Sequence, residues 1–393
     1  MIRLWRLVDK RALSVTALCL VVWRLLGQIP VTDVPAAFIK PHLELYRGSG
    51  LFVAIGPHSI PLRAYSIGTL GIGPYVEALV IVSLVLAISS RLREMFRDPA
   101  GRLRLLRWAR ALALLLAPAS AYGYTVIFQQ VGALPSAFDW SARLYVCLEL
   151  TGGTAVMMLL ADLLDEYGLG FGYGAFLLYA LASVGAEAHQ IAGYFATTPS
   201  TDAFLKPFVL WAAITIGATA ASVAIVLALR RVGSIDLRVL VPGVFRPPSF
   251  ASAVVFLPVI VANYYTAADI GWVDWFRANF GPYGPSFWLD AVYLAVETAL
   301  IMLFAVFVAT ADAGVMSVSP RLFARVRALA FIAGTFIAML VVWAAAATHY
   351  LTLGTGQEVP MSGFEVLLVV VVILVAVRGI EGRSLHMYPS LMP

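Results

Sequence analysis

The stretch Ile67–Val82, reading IGTLGIGPYVEALVIV, decides the fold. Gly68, Gly71, Gly73 and Pro74 crowd the start of an apolar run that continues through Ser89. Glycine and proline are tolerated in a membrane span only where neighbouring helices or water satisfy the freed backbone groups. The crowding therefore predicts a helix entered from a broken, closely packed segment. Glu77 follows one turn inside, where an ionisable side chain has to face protein or a water-filled cavity.

Composition sets the class. The chain has 393 residues, 61% of them apolar and 12% charged, with mean hydropathy +0.89, which places it among polytopic membrane proteins. Cys19 and Cys147 both lie in apolar runs, too few and too buried for a disulfide framework or a metal site. The net charge of +5 comes almost wholly from arginines in short segments between apolar runs, so it reads as topology and not as nucleic-acid binding. The first apolar run lacks a small-residue cleavage site after it, and no removable leader is expected.

Apolar runs of spanning length fall near 12–29, 64–89, 110–131, 143–164, 173–194, 207–229, 249–266, 286–310, 327–350 and 362–378, ten in all. With the N-terminus inside, the inner segments hold 20 of the 27 Lys and Arg residues, seven of them between Arg91 and Arg110. The outside keeps Arg24, Lys40, Arg47, Arg63, Arg143, Lys206 and Arg277. The positive-inside rule then puts both termini in the cytoplasm. Trp140, Trp272, Trp275 and Trp288 fall at the outer interface.

Specific motifs carry a resemblance. SIGTLGIGPYVEA is similar to the opening of the second transmembrane helix in the SecY family. Arg24–Val34, RLLGQIPVTDV, resembles that family's R-L-G-x-x-I-P-x-P segment, with one extra leucine and the second proline replaced. PAGRLRLLRWAR matches the family's inner-loop pattern at Gly101, Arg102, Arg104 and Arg110, with Trp108 in a tyrosine position. The strongest likeness is Leu150–Gly172, LTGGTAVMMLLADLLDEYGLGFG, which follows L-T-x-G-T-x(5)-L-x(5)-E-x-G-x-G-x-G without a gap. A nucleotide-binding reading of GLGFG fails because no strand precedes it and no phosphate-binding lysine follows. FASAVVFLP at 250–258 and SGFEVLLVVVVILV at 362–375 resemble the family's seventh and tenth spans more thinly.

The resemblance implies an all-α polytopic membrane protein of ten helices in two inverted five-helix halves, 1–195 and 196–393, with the functional path between them. It implies a plug-like segment at 35–63 and an aliphatic pore ring at Ile72, Val76, Leu177, Val254 and Leu368, the sixth place falling on Phe245 or Arg246. It implies a lateral gate between the second and seventh spans. There Glu77 and Arg246 could pair as a latch, and Glu365 takes a place where the family carries serine. Expected partners are small SecE- and SecG-like membrane subunits, unfolded polypeptide and a SecA-like cytosolic motor or targeting factor. The cytoplasmic docking residues are Arg102, Arg104, Arg110, Arg230, Arg231, Arg238, Arg321 and Arg325, the last five of which would draw anionic lipids. The inner loops RRVGSIDLRVLVPGVFRPPS and ADAGVMSVSPRLFAR are much shorter than the family's, so ribosome binding is not expected and a specialised copy in a bacterial inner membrane is.

Other chemistries find little support. Glu187 and His189 stand two apart, on different sides of a helix, and make no metal site. Zinc-protease, serine-nucleophile and phosphate-binding motifs are missing, so neither catalysis nor a cofactor is expected. Two alternative functions stay open: a SecY-derived scaffold that conducts nothing, and an ion-coupled transporter using Glu77, Glu297 and Glu365.

Overall fold

The computed structural model describes residues 10–32, 66–95, 99–130, 140–170 and 287–315. It adds short helical stretches at 174–175, 177–179 and 221–225 and helical positions scattered through 209–228, 251, 324–336, 370 and 373. Among the described residues six helices are delimited: α1 Lys10–Leu26, α2 Gly73–Ile88, α3 Ser90–Met95, α4 Pro99–Gln130, α5 Trp140–Tyr167 and α6 Phe287–Val315. Among the described residues the only extended pairing is an isolated antiparallel bridge between Pro30 and Ser66. The all-α expectation is met. The count of ten spans rests on the sequence, since the expected spans near 173–194, 207–229, 249–266, 327–350 and 362–378 lie largely outside the described residues, as does the plug-like segment 35–63.

The expected span at 64–89 is broken as its glycines predict. Residues 67–72 form turns, with Thr69 N donating to Ser66 O at 2.9 Å and Gly71 N to Gly68 O at 2.9 Å. Gly71 has φ +58°, a left-handed conformation open to glycine at no steric cost. The helix then starts at Gly73 with Pro74 in its first turn, where the missing N–H would have had no intrahelical partner anyway. It stops at Ser89, which is extended, and Ser89 Oγ accepts from Leu92 N at 3.4 Å as α3 begins.

Depth follows from packing. Helix α4 has 32 residues, about 48 Å at 1.5 Å each. Its Ala109, Ala113, Ala117 and Ala121 recur every fourth position and are fully buried, a small-residue stripe that lets neighbouring backbones approach. Leu70 packs in a cluster with Ala117, Ala121, Tyr124 and Phe128, whereas Ile72, Tyr75, Val76 and Ala78 share one with Ala109 and Ala113. The turn ahead of α2 thus stands beside the middle of α4, and α2 is a half-helix starting part-way along its neighbour.

Helix α5 packs on α4 and α1, and α6 packs on α2. The outward faces are apolar as well: Leu18, Val21 and Leu25 on α1, Leu114 and Leu115 on α4, and Leu144, Leu148, Leu159 and Leu163 on α5 are all exposed. Helices apolar inside and out are solvated by lipid. Among the described residues α5 is long and apolar enough to cross a membrane, and Ala291–Phe307 within α6 is a shorter apolar helix.

Candidate functional site

The predicted ring residues were placed by likeness alone, and the described ones are buried. Ile72 is 5% exposed, Val76 3% and Leu177 8%. Ile72 and Val76 belong to one apolar cluster with Leu178 and Tyr179, Ala251, Val370, and Tyr293, Leu294, Ile301 and Phe304 of α6. Val254 and Leu368 lie outside the described residues, three positions after Ala251 and two before Val370. Of the described ring positions, Ile72 and Val76 thus share one cluster, which Ala251 and Val370 from the expected seventh and tenth spans also join, whereas Leu177 is buried outside it.

The broken segment is fastened from both sides. Ile67 N donates to Ile29 O at 3.0 Å beside the Pro30–Ser66 bridge, so the chain leaving α1 and the chain entering α2 meet at one place. Glu149 on α5 secures that junction, its carboxylate accepting from Thr32 N at 2.9 Å and from the Thr32 hydroxyl. Below it Gly153 faces the Ile67 carbonyl so closely that a Cβ would come within 1.9 Å of the oxygen. Gly153 in the strongest motif is thereby explained: α5 is the floor on which the broken segment rests.

Polar groups tie the same helices together further along. Arg110 Nη2 on α4 donates to Asp162 Oδ1 on α5 at 2.8 Å, and its guanidinium lies within electrostatic reach of Tyr75 on α2. Arg110 was expected as a docking group; its side chain remains 40% exposed, yet its head is engaged by Asp162 on the neighbouring helix. At the end of α5, Asp165 accepts from Gly174 N at 2.7 Å and Thr16 of α1 accepts from Leu169 N at 3.0 Å, holding the turn of the GLGFG motif.

Glu77 is half-buried and lies within electrostatic reach of Tyr124 on α4 and of Tyr179. Its expected partner Arg246 lies outside the described residues, as do Glu365, Arg230, Arg231, Arg238, Arg321 and Arg325. Arg104 is exposed in the first turns of α4, which also carry Arg102. Among the described residues no three His, Cys, Asp or Glu side chains gather as metal ligands. Sequence reasoning missed Glu149, Asp162 and Asp165. Their signal was an acid in an apolar run at the depth of a basic or backbone donor on the neighbouring helix.

Aliphatic residues buried at the start of a helix, as Ile72 and Val76 are, can contribute to a dewetted constriction: apolar walls make water and ions costly to admit. The family model for SecY matches residues 66–324. The protein translocase subunit SecY of Bacillus subtilis is 26% identical over 322 residues, covering 75% of this chain and 71% of that protein. That of Mycobacterium leprae is 25% identical over 272 residues, 61% of this chain and 59% of the relative. That of Buchnera aphidicola is 27% identical over 168 residues, 42% of this chain and 38% of the relative. The chain thus spans less than two thirds of two of these three relatives.

Proposed function

The chain belongs to the SecY family, and from that premise we propose that it is a channel subunit that passes unfolded polypeptide across, or sideways into, the membrane. Ile72, Val76, Leu177, Val254 and Leu368 form the closed seal. The observation that carries this reading is the burial of Ile72 and Val76 at a half-helix start, in one cluster with Ala251 and Val370. Ten spans, both termini in the cytoplasm of a bacterial inner membrane, and a lateral gate between the second and seventh spans complete the proposal. SecE- and SecG-like subunits and a SecA-like motor are its natural partners.

The shortened inner loops favour a specialised copy that takes its substrates from a dedicated factor and not from ribosomes. A non-conducting scaffold is the second reading, favoured by those same loops. A photo-crosslinking residue at position 76, compared with one at the lipid-facing position 115, distinguishes the two. A stalled secretory polypeptide should crosslink from position 76 at least tenfold more than from 115. Equal, background labelling at both would leave the scaffold.

A further inference from the structure

One cation on the far side of the bundle takes no part in the seal. Arg143 stands in the first turn of α5, where the helix dipole disfavours positive charge. Its described contacts are neutral. The guanidinium donates to the Gln129 side-chain oxygen on α4 and lies over the Tyr122 ring, 5.9 Å from the centroid. Tyr122 in turn meets the edge of Trp140, ring centroids 6.1 Å apart. The aromatic pair fixes the depth of the group, since Trp and Tyr settle where hydrocarbon gives way to headgroups.

The surface around it faces lipid. Trp140 is 71% exposed, Tyr145 64%, Leu144 62% and Leu148 59%. A half-buried guanidinium with spare N–H donors, set among lipid-facing side chains at headgroup depth, matches a phosphodiester in charge, geometry and position. Inorganic phosphate has the charge but nothing to cover the flanking apolar surface. The geometry points to a site for the headgroup of a phospholipid of net negative charge on the α4–α5 hairpin. Arg143 is the anion ligand, Gln129 and Tyr122 orient it, and Trp140, Leu144 and Tyr145 receive the acyl chains. In the proposed topology this site lies in the outer leaflet, opposite the arginine-rich inner surface.

The test uses the full chain in nanodiscs with a phosphatidylglycerol that carries a photoreactive group beside its phosphate, followed by mapping of labelled peptides. Labelling within 140–148 should fall about fivefold in Arg143→Gln, the worth of one arginine near an anionic surface. Most of it should survive in Arg143→Lys. Gln129→Ala, which leaves the charge in place, should lower it about twofold and serves if the glutamine variant fails to fold. Unchanged labelling in both Arg143→Gln and Gln129→Ala overturns the site. Equal labelling by the matching phosphatidylcholine probe means ordinary lipid contact and also overturns it. Loss of labelling on adding 10 mM inorganic phosphate would assign the anion to a free phosphate instead. Asp139, four positions before Arg143, lies outside the described residues. Should Asp139→Asn double the labelling while Arg143→Gln leaves the native background unmoved, that carboxylate is the true partner and the lipid is not.

Discussion

Gly153 of α5 sits so close under Ile67 that a Cβ would lie 1.9 Å from the carbonyl oxygen and 2.9 Å from the carbonyl carbon. Backbone meets backbone at this point, and neither side has a flexible side chain that could yield. Gly153→Ala should therefore displace the turn ahead of α2, at a cost of about 1–3 kcal/mol as in other overpacked interiors. The neighbouring Gly152, with open space around its Cβ position, is the control. Thermal melting in detergent should show a clear loss for Gly153→Ala and little for Gly152→Ala; equal effects would contradict the contact.

The Thr32–Glu149 tie holds the place where the chain leaves α1 and returns to α2. Glu149→Gln keeps the shape and removes the charge that strengthens both hydrogen bonds, a loss of about 1 kcal/mol. The expected result is faster hydrogen exchange at Ile67, whose N–H bonds Ile29 O in the same junction, with α4 unchanged. Exchange at Ile67 that stays at the native rate would show that the tie is not what fastens the junction.

Arg110 and Asp162 join α4 to α5 with 40% and 33% of their side chains exposed, so solvent screens the pair. A double-mutant cycle of Arg110→Gln and Asp162→Asn should return a coupling of about 0.5–1 kcal/mol, within the range for exposed pairs. Strict additivity in that cycle would mean that the pair contributes nothing to the bundle.

Glu77 makes two couplings separable. It lies within electrostatic reach of Tyr124 and Tyr179, and Glu77→Gln with Tyr124→Phe should be non-additive in thermal stability by at least about 0.5 kcal/mol, the low end for coupled residues. The proposed latch adds a second requirement. Glu77→Gln and Arg246→Gln should each loosen the closed gate in a cysteine-crosslinking assay, and the double variant should loosen it no further. Additive loosening by the two would remove Arg246 from the account and leave Glu77 as a tie within the N-terminal half.

Much of the fold was legible because membrane burial writes itself in composition. The helix break was readable too: Gly71 and Pro74 each admit few structural roles, and the turn at 67–72 and the start at Gly73 follow from them. The start of α4 was not. Arg102, Arg104 and Arg107 marked an inner loop, yet the helix runs back through them to Pro99, because arginine is a good helix former and a long helix need not stop at the membrane surface. Ile72 and Val76 could be named only by likeness, since any apolar helix carries aliphatics at such spacing. Glu149 and Asp162 escaped because a hydrogen bond across 117 residues and an ion pair across 52 leave no local pattern.

The central claim is that an aliphatic ring seals a conducting path, and ion conductance in a planar bilayer tests it most directly. Native protein should stay at the background of protein-free membrane, whereas Ile72→Ser with Leu177→Ser should open a steady leak at least tenfold above it. The lipid-facing control Leu115→Ser, at a position 71% exposed, should leak no more than native protein. A double-serine variant that folds, inserts and still conducts nothing would contradict the account.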